Sequence, residues 1–309
     1  MSNKQEKSCL TPFLYCSLLT AYFMRPMTIQ PECYDCLLRL VNLTVDLAGG
    51  GPEKQEQARE ASLGIIRREF RPGAIPAAIA NLFHRAIRDV TGNPDPFSDR
   101  KNAETAFLGR MHARIASSYN DDLDSLLRLA VAGNTIDFFR GEEEVTREIL
   151  SQVRWTRADL GPLRRRLEKA PGLLLYLADN AGEQFFDLPL VSHLRRLGWQ
   201  VLYVVKGGPI QNDLTRADLR ASGLEEALEP VTDTGAATVG LALPETGAVF
   251  QELYRQADLI LAKGMGHFET MSHFQDSRLF FLLQAKCSPV AQALEVDRGA
   301  FVLQRAFGS

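Results

Sequence analysis

LLLYLADNAGEQFFD, residues 173–187, decides how the chain is read. Its apolar opening is a short continuous run, the pattern of a strand covered on both faces. Asp179 and Asn180 follow side by side at the end of that run, Gly182 turns, and a helical pattern begins. The same unit recurs downstream. WQVLYVVKG (199–207), ADLILAKG (257–264), LFFLLQAKC (279–287) and AFVLQ (300–304) are further short apolar runs. Helical stretches lie between them: EQFFDLPLVSHLRRLG, TRADLRASGL, TGAVFQELYRQ and SPVAQALEV. Strand alternating with helix predicts βαβ units and an α/β, Rossmann-like, mostly parallel sheet flanked by helices. Right-handed crossovers then bring the carboxyl ends of the strands to one edge, where open α/β sheets bind ligands.

Upstream the pattern differs. PECYDCLLRLVNLTVDLA, QEQAREASLGIIRREF, IPAAIANLFHRAIRDV, AETAFLGRMHARIASSY and LDSLLRLAVAGNTIDFF carry apolar residues at three- and four-residue spacing, as amphipathic helices do. Three segments are expected: an extension outside the fold at 1–26, an all-helical region at 27–170, and an α/β domain at 171–309. The extension contains KQEKSCLTPFLYCSLLTAYFM, lysines before an apolar run too short to span a bilayer comfortably. No small-residue cleavage site follows it, so a cleaved export signal is the lesser reading.

Composition narrows the function. Apolar residues make up 45% and charged residues 24% of 309, which suits a soluble globular enzyme or binding protein. A net charge of -3 with both signs scattered argues against nucleic-acid binding. Five cysteines, an odd and low number for this length, argue against a disulfide framework and for a reducing cytoplasm. No membrane partner is expected.

Polar residues stand repeatedly at the predicted strand ends. Asp179 and Asn180 end the first strand. Lys206 ends the second, followed by Asn212 and Asp213; Lys263 ends a later one, followed by His267 and Glu269; Lys286 and Cys287 end another. Carboxylates and an amide carbonyl are hard oxygen donors for Mg²⁺ or Mn²⁺, and lysines supply charge for phosphate oxygens. DNAGE also precedes a helix, whose N-terminus favours an anion. The bland alternative is that Asp179 and Asp213 only cap the helices after them and that Asn180 favours the turn. The remaining histidines, His84, His112, His193 and His273, have no ligand spacing.

With these residues in view, the chain resembles the damage-control phosphatases, metal-dependent enzymes formerly grouped as a domain of unknown function. The likeness is closest to the prokaryotic branch with an N-terminal CxxC, here Cys33 and Cys36. Its landmarks run in order from Met27 onward: PECYDC, NPDPF with Lys101, AGNTIDF, DNAGE, KGGPIQND, AKGMGHFE and AKCSPVA. The resemblance implies a Rossmann-like sheet with a helical region packed over its active edge. It implies that Asp179, Asn180 and Asp213 hold a divalent metal (Mg²⁺ or Mn²⁺, with Co²⁺ or Ni²⁺ as further options) and carry catalysis. It also implies that Asn134 and Asp137 enter the cleft, that Lys263 binds the phosphate, and that Lys206 and Glu183 lie close by.

The substrate class so implied is a phosphate monoester of a small metabolite, a sugar phosphate or a damaged phosphorylated intermediate. His267 stands where the family usually has Asn, either as a substitute hydrogen-bonding group or as a source of pH sensitivity. Ala181, two residues after Asp179, is not the second Asp that accompanies an aspartyl-phosphate nucleophile, which favours attack by water. Two rival functions remain open at this level. One is a methyltransferase using S-adenosylmethionine, disfavoured by the lack of a Gly-rich loop. The other is a non-catalytic metal- or nucleotide-binding module.

Overall fold

The computed structural model describes residues 25–135 and 141–306. Five helices come first: α1 (Pro31–Ala48), α2 (Pro52–Glu69), α3 (Pro76–Thr91), α4 (Ser98–Ile115) and α5 (Leu123–Gly133). Proline opens α1, α2 and α3, where its missing N–H has no intrahelical partner to lose. Asp122 caps α5 by accepting from the Ser125 amide at 3.1 Å. Next come α6 (Glu142–Leu150), β1 (Trp155–Ala158) and α7 (Leu160–Leu167).

The alternating half follows. It runs β2 (Leu173–Leu177), α8 (Gln184–Arg196), β3 (Gln200–Val205), α9 (Arg216–Ala221), α10 (Glu225–Leu228) and β4 (Val231–Asp233). The chain then continues through α11 (Ala248–Gln256), β5 (Leu259–Lys263), α12 (Gly264–Met271), β6 (Leu279–Gln284), α13 (Ser288–Leu294) and β7 (Phe301–Arg305). Among the described residues these strands form one seven-stranded sheet in the order β1-β7-β6-β5-β2-β3-β4. The pairs from β6 to β4 are parallel; β7 is antiparallel to β6, and β1 is parallel to β7.

The fold is therefore the expected mostly parallel α/β sheet flanked by helices, with two strands that the apolar runs did not announce. Trp155–Ala158 and Val231–Asp233 are the sheet's edges, short and partly exposed. Edge strands need no continuous apolar run, so the signal that marked the central strands is missing there. β1 also lies inside the span 27–170 that reads as helical. The helices upstream divide between the two faces of the sheet. α1–α3 pack with α11–α13 against Leu175, Leu177, Ile260 and Phe281, whereas α4–α7 pack with α8 against Leu174, Tyr176, Tyr203 and Leu261. Among the described residues no helix is long and apolar enough to cross a membrane.

Strand order positions the site. From β2 the chain steps to β3 and β4, then returns to the other side of β2 for β5 and β6. The reversal lies between β2 and β5, so the carboxyl ends of those strands open the crevice of a topological switch point. Lys101 of α4 reinforces this arrangement from the helical side. Its buried ammonium meets Asp95 at 2.7 Å and Asp218, at the start of α9, at 2.9 Å. Removing one partner of such a buried group leaves the others uncompensated. Lys101→Met is expected to destabilise the protein by about 3 kcal/mol in urea unfolding.

Candidate active site

The end of β2 is built by backbone pairing. Ala178 N–H donates to Val204 O at 2.9 Å, Leu214 N–H to Asp179 O at 2.8 Å, and Ala181 N–H to Asn212 O at 2.8 Å. Asn180 and Asp213 form an antiparallel bridge, and Lys206 N–H donates to Leu214 O at 2.9 Å. The segment around Asp213 is thereby stitched to the ends of both β2 and β3. Gly182, at φ +96, makes the turn under α4, where a Cβ would stand 2.8 Å from Leu108 Cδ1. Neither aspartate is a helix cap. The N-cap of α8 is Glu183, and that of α9 is Thr215, whose side chain accepts from Asp218 N.

Behind Asp179 lies a buried polar stack. Asn134, at the end of α5, donates through Nδ2 to Asp179 Oδ2 at 2.8 Å and Glu183 Oε1 at 2.9 Å. Asn180 Nδ2 donates to the same two oxygens at 2.8 and 2.7 Å. Gln284 N–H donates to Asn134 Oδ1 at 3.1 Å, so both edges of that amide are occupied. Lys263 donates to Glu183 Oε2 at 2.8 Å and to Asp187 Oδ1 at 2.7 Å. Asp187 also accepts from the Tyr176 and Tyr203 hydroxyls at 2.7 and 2.8 Å.

These contacts set the charge states. Burial pushes Asp179 well above the usual carboxylate range, and Glu183 and Asp213 push it further. Burial also lifts Asp213, to about 6, against the pull of Lys206. Burial opposes ionisation of Lys263, but Asp187 and Glu183 outweigh it and hold the ammonium above its ordinary value.

Lys206 occupies the next layer. Its Nζ donates to Gly240 O at 2.6 Å and to His267 Nε2 at 3.2 Å, and lies 3.4 Å from Asp213 Oδ2. An ammonium only donates, so His267 Nε2 accepts and Nδ1–H donates to Lys263 O at 2.7 Å. Burial and then Lys206 hold this imidazole well below its ordinary value. His267 is a neutral hydrogen-bonding group, and pH sensitivity from it is not expected.

The crevice contains a cavity of about 740 Å³, the size of a small-molecule site. Asp179, Asn180 and Asp213 line it together, with Gln211, Asn212, Glu269 and Lys286 beside them. α1, α3 and α6 of the helical region form much of the opposite wall, including Arg39, Ala77 and Glu148. Lys263, Lys206, Glu183, Asn134 and His267 are buried and engaged with other protein groups, and they are not among the residues that line the cavity, whereas Glu269 is. Lys286 is the strand-end lysine that lines the cavity. It was visible in LFFLLQAKC, but nothing local distinguishes it from Lys206 or Lys263. Asp137 lies outside the described residues.

The donor set suits a hard cation. Asn180 Nδ2 faces two carboxylates, which leaves its carbonyl edge for another partner, and Asp213 Oδ2 is buried with the Lys206 ammonium 3.4 Å away. Among the described residues no group of three or more His, Cys, Asp or Glu side chains could hold a metal, so the site rests on two carboxylates and an amide. Cys33 Sγ accepts from Gln30 N at 3.4 Å at the start of α1, while Cys36 and Cys287 line the cavity. Burial, then Glu269 and the other two cysteines, push the Cys287 thiol up to about 12, far from a reactive thiolate.

The sequence matches the profile described as "Damage-control phosphatase ARMT1-like domain" over residues 29–302. It is 34% identical to a damage-control phosphatase of Pyrococcus horikoshii, covering 90% of this chain and 98% of that one. It is 29% identical to a damage-control phosphatase of Archaeoglobus fulgidus, covering 89% and 98%. The fold is similar to the crystal structure of a DUF89 family protein from Pyrococcus horikoshii, with a TM-score of 0.81 and 34% identity over 91% of this chain and 99% of the other.

Glu269 provides a pH test of the cavity wall. Burial lifts its carboxyl from 4.5 to about 7, opposed only by the Ala77 N–H that it accepts at 3.0 Å. Cys33 and Cys287 lie near enough for its charge to raise their thiols. A carboxyl raised on folding binds more protons in the native state, so its contribution falls as pH rises from 4.5 to about 7. The loss of urea stability between about pH 5 and about pH 8 should be smaller in Glu269→Gln than in wild type.

Proposed function

The chain belongs to the damage-control phosphatase ARMT1-like domain family, and from that membership and the crevice geometry we propose that it is a metal-dependent phosphatase of small phosphorylated metabolites. One observation carries the reading. The bridge between Asn180 and Asp213 joins the segments that bring Asp179, Asn180 and Asp213 to one cavity wall at the switch point, with Lys206 behind Asp213 Oδ2 at 3.4 Å. Mg²⁺ or Mn²⁺ fits these hard oxygens, and Co²⁺ or Ni²⁺ accepts the same set. Bound there, such an ion would neutralise phosphoryl charge.

The remaining work falls to the protein. Glu183 holds the Asn180 amide at 2.7 Å, and Lys206 balances Asp213 from 3.4 Å. Lys286, on the lining, is the lysine placed to meet a phosphoryl oxygen. Water is the nucleophile: its oxygen bonds to phosphorus as the ester P–O bond breaks, one of its protons ends on the leaving alcohol and the other stays on the released phosphate. Ala181, rather than a second aspartate, stands two residues after Asp179, which favours water over an aspartyl-phosphate route. The substrates are phosphate monoesters of the sugar-phosphate or damaged-intermediate kind, consistent with the cavity volume of about 740 Å³. Among the described residues Cys33, Cys36 and Cys287 form no disulfide, in keeping with a cytoplasmic location.

Two measurements test this. Phosphate release from a panel of sugar phosphates should require Mg²⁺ or Mn²⁺, vanish in EDTA, and fall roughly 10²-fold or more in Asp179→Ala and Asp213→Ala. Turnover unaffected by EDTA would contradict the metal reading, and metal binding without any turnover would leave a non-catalytic binding protein. Gly264, at φ +80, lies so close to Asp179 that an added Cβ would overlap the carboxylate. Gly264→Ala should therefore weaken Mn²⁺ binding at least about tenfold in calorimetry.

A further inference from the structure

Asn212 lines the cavity beside Asp213, and no role has yet been given to it. Its Nδ2 donates to Glu104 Oε2 at 2.7 Å, and Arg100 Nε donates to Glu104 Oε1 at 2.8 Å. Both of the latter residues belong to α4. A carboxamide has one donor group and one acceptor group, so fixing Nδ2 toward α4 also fixes where Oδ1 points. That oxygen is buried and has no hydrogen-bond partner. Next in sequence, Asp213 Oδ2 has the Lys206 ammonium 3.4 Å away. Buried acceptors without partners are rare, and one beside the Asp213 carboxylate on a cavity wall points to an occupant that supplies positive charge or donors. Asn180 repeats the construction: a buried glutamate, Glu183, takes its Nδ2 at 2.7 Å and leaves the carbonyl edge open.

The loop before Asn212 is held from the same helical side. Gln211 has φ +45, a region that side-chain-bearing residues rarely adopt, and its Nε2 donates to His84 Nε2 of α3 at 2.9 Å.

We propose that Glu104 is a positioning residue for the cation site, turning Asn212 so that Oδ1 supplies a further oxygen to the site's occupant. This rests on reading the cavity as a metal-dependent phosphatase site. In that arrangement the helical region orients one of the site's oxygens as well as walling the cavity. Orienting groups of this kind are commonly worth 10- to 100-fold in metal affinity.

The test uses the full chain and Mn²⁺ calorimetry, with thermal unfolding of the metal-free protein and phosphate release measured in parallel. Asn212→Leu and Glu104→Leu should each weaken Mn²⁺ binding roughly 10-fold or more. The double variant should bind no more weakly than Asn212→Leu alone, because Glu104 acts through that amide. Glu104→Gln, whose side-chain carbonyl can still accept from Nδ2, should recover most of the affinity. Effects that multiply in the double variant, or wild-type Mn²⁺ affinity in folded Asn212→Leu, overturn the proposal. If Glu104→Leu does not fold, the affinity of Asn212→Leu decides. Asp213→Asn separates the two levels. If it loses Mn²⁺ while Asn212→Leu does not, only the positioning proposal fails. If wild type binds no Mn²⁺, the metal reading fails and takes the proposal with it.

Discussion

Lys263 carries its charge with none of its side chain in contact with water, between Glu183 at 2.8 Å and Asp187 at 2.7 Å. A lysine so placed survives only because carboxylates replace its hydration, and those carboxylates in turn need every remaining oxygen engaged. Glu183 meets that demand with Asn134 and Asn180, and Asp187 with Tyr176 and Tyr203. The ion cluster joins β5 to α8 and, through Asn134, to α5. Asp179 is oriented by the same two amides. The geometry of the cavity floor is thus inherited from a charge that never reaches the cavity.

The outer wall depends on a second set of polar contacts from the helices that precede the sheet. Glu104 reaches Asn212, His84 reaches Gln211, and Lys101 reaches Asp218. Each contact falls on the segment that follows β3 and carries Asp213. A loop anchored only at its ends would hold Asp213 less firmly, and these three contacts pin it at intervals. The helical and α/β parts therefore share one site, although they differ so plainly in sequence pattern.

His267 stands where the resemblance led us to expect asparagine, and its contacts can serve the same purpose. The imidazole accepts from Lys206 and donates to the Lys263 carbonyl, so it links two lysines by one donor and one acceptor. An asparagine amide offers the same pair of functions. Proximity to Lys206 and full burial keep the ring neutral, which removes the titration that makes histidine distinctive.

The sequence by itself determined the central strands, the helices between them, and the carboxyl-end position of Asp179, Asn180 and Asp213. These are local properties: an apolar run, a three- or four-residue period and a glycine turn depend on neighbours within a few residues. The edge strands at Trp155–Ala158 and Val231–Asp233 escaped because their burial comes from a single neighbouring strand. Only the tertiary structure decided which strand-end groups face the cavity. Lys206, Lys263 and Lys286 look alike in sequence, yet Lys263 meets carboxylates 80 and 76 residues away and Lys286 lines the crevice. A charged side chain's partners are set by which distant segments pack against it and exclude water, and no local pattern encodes that choice.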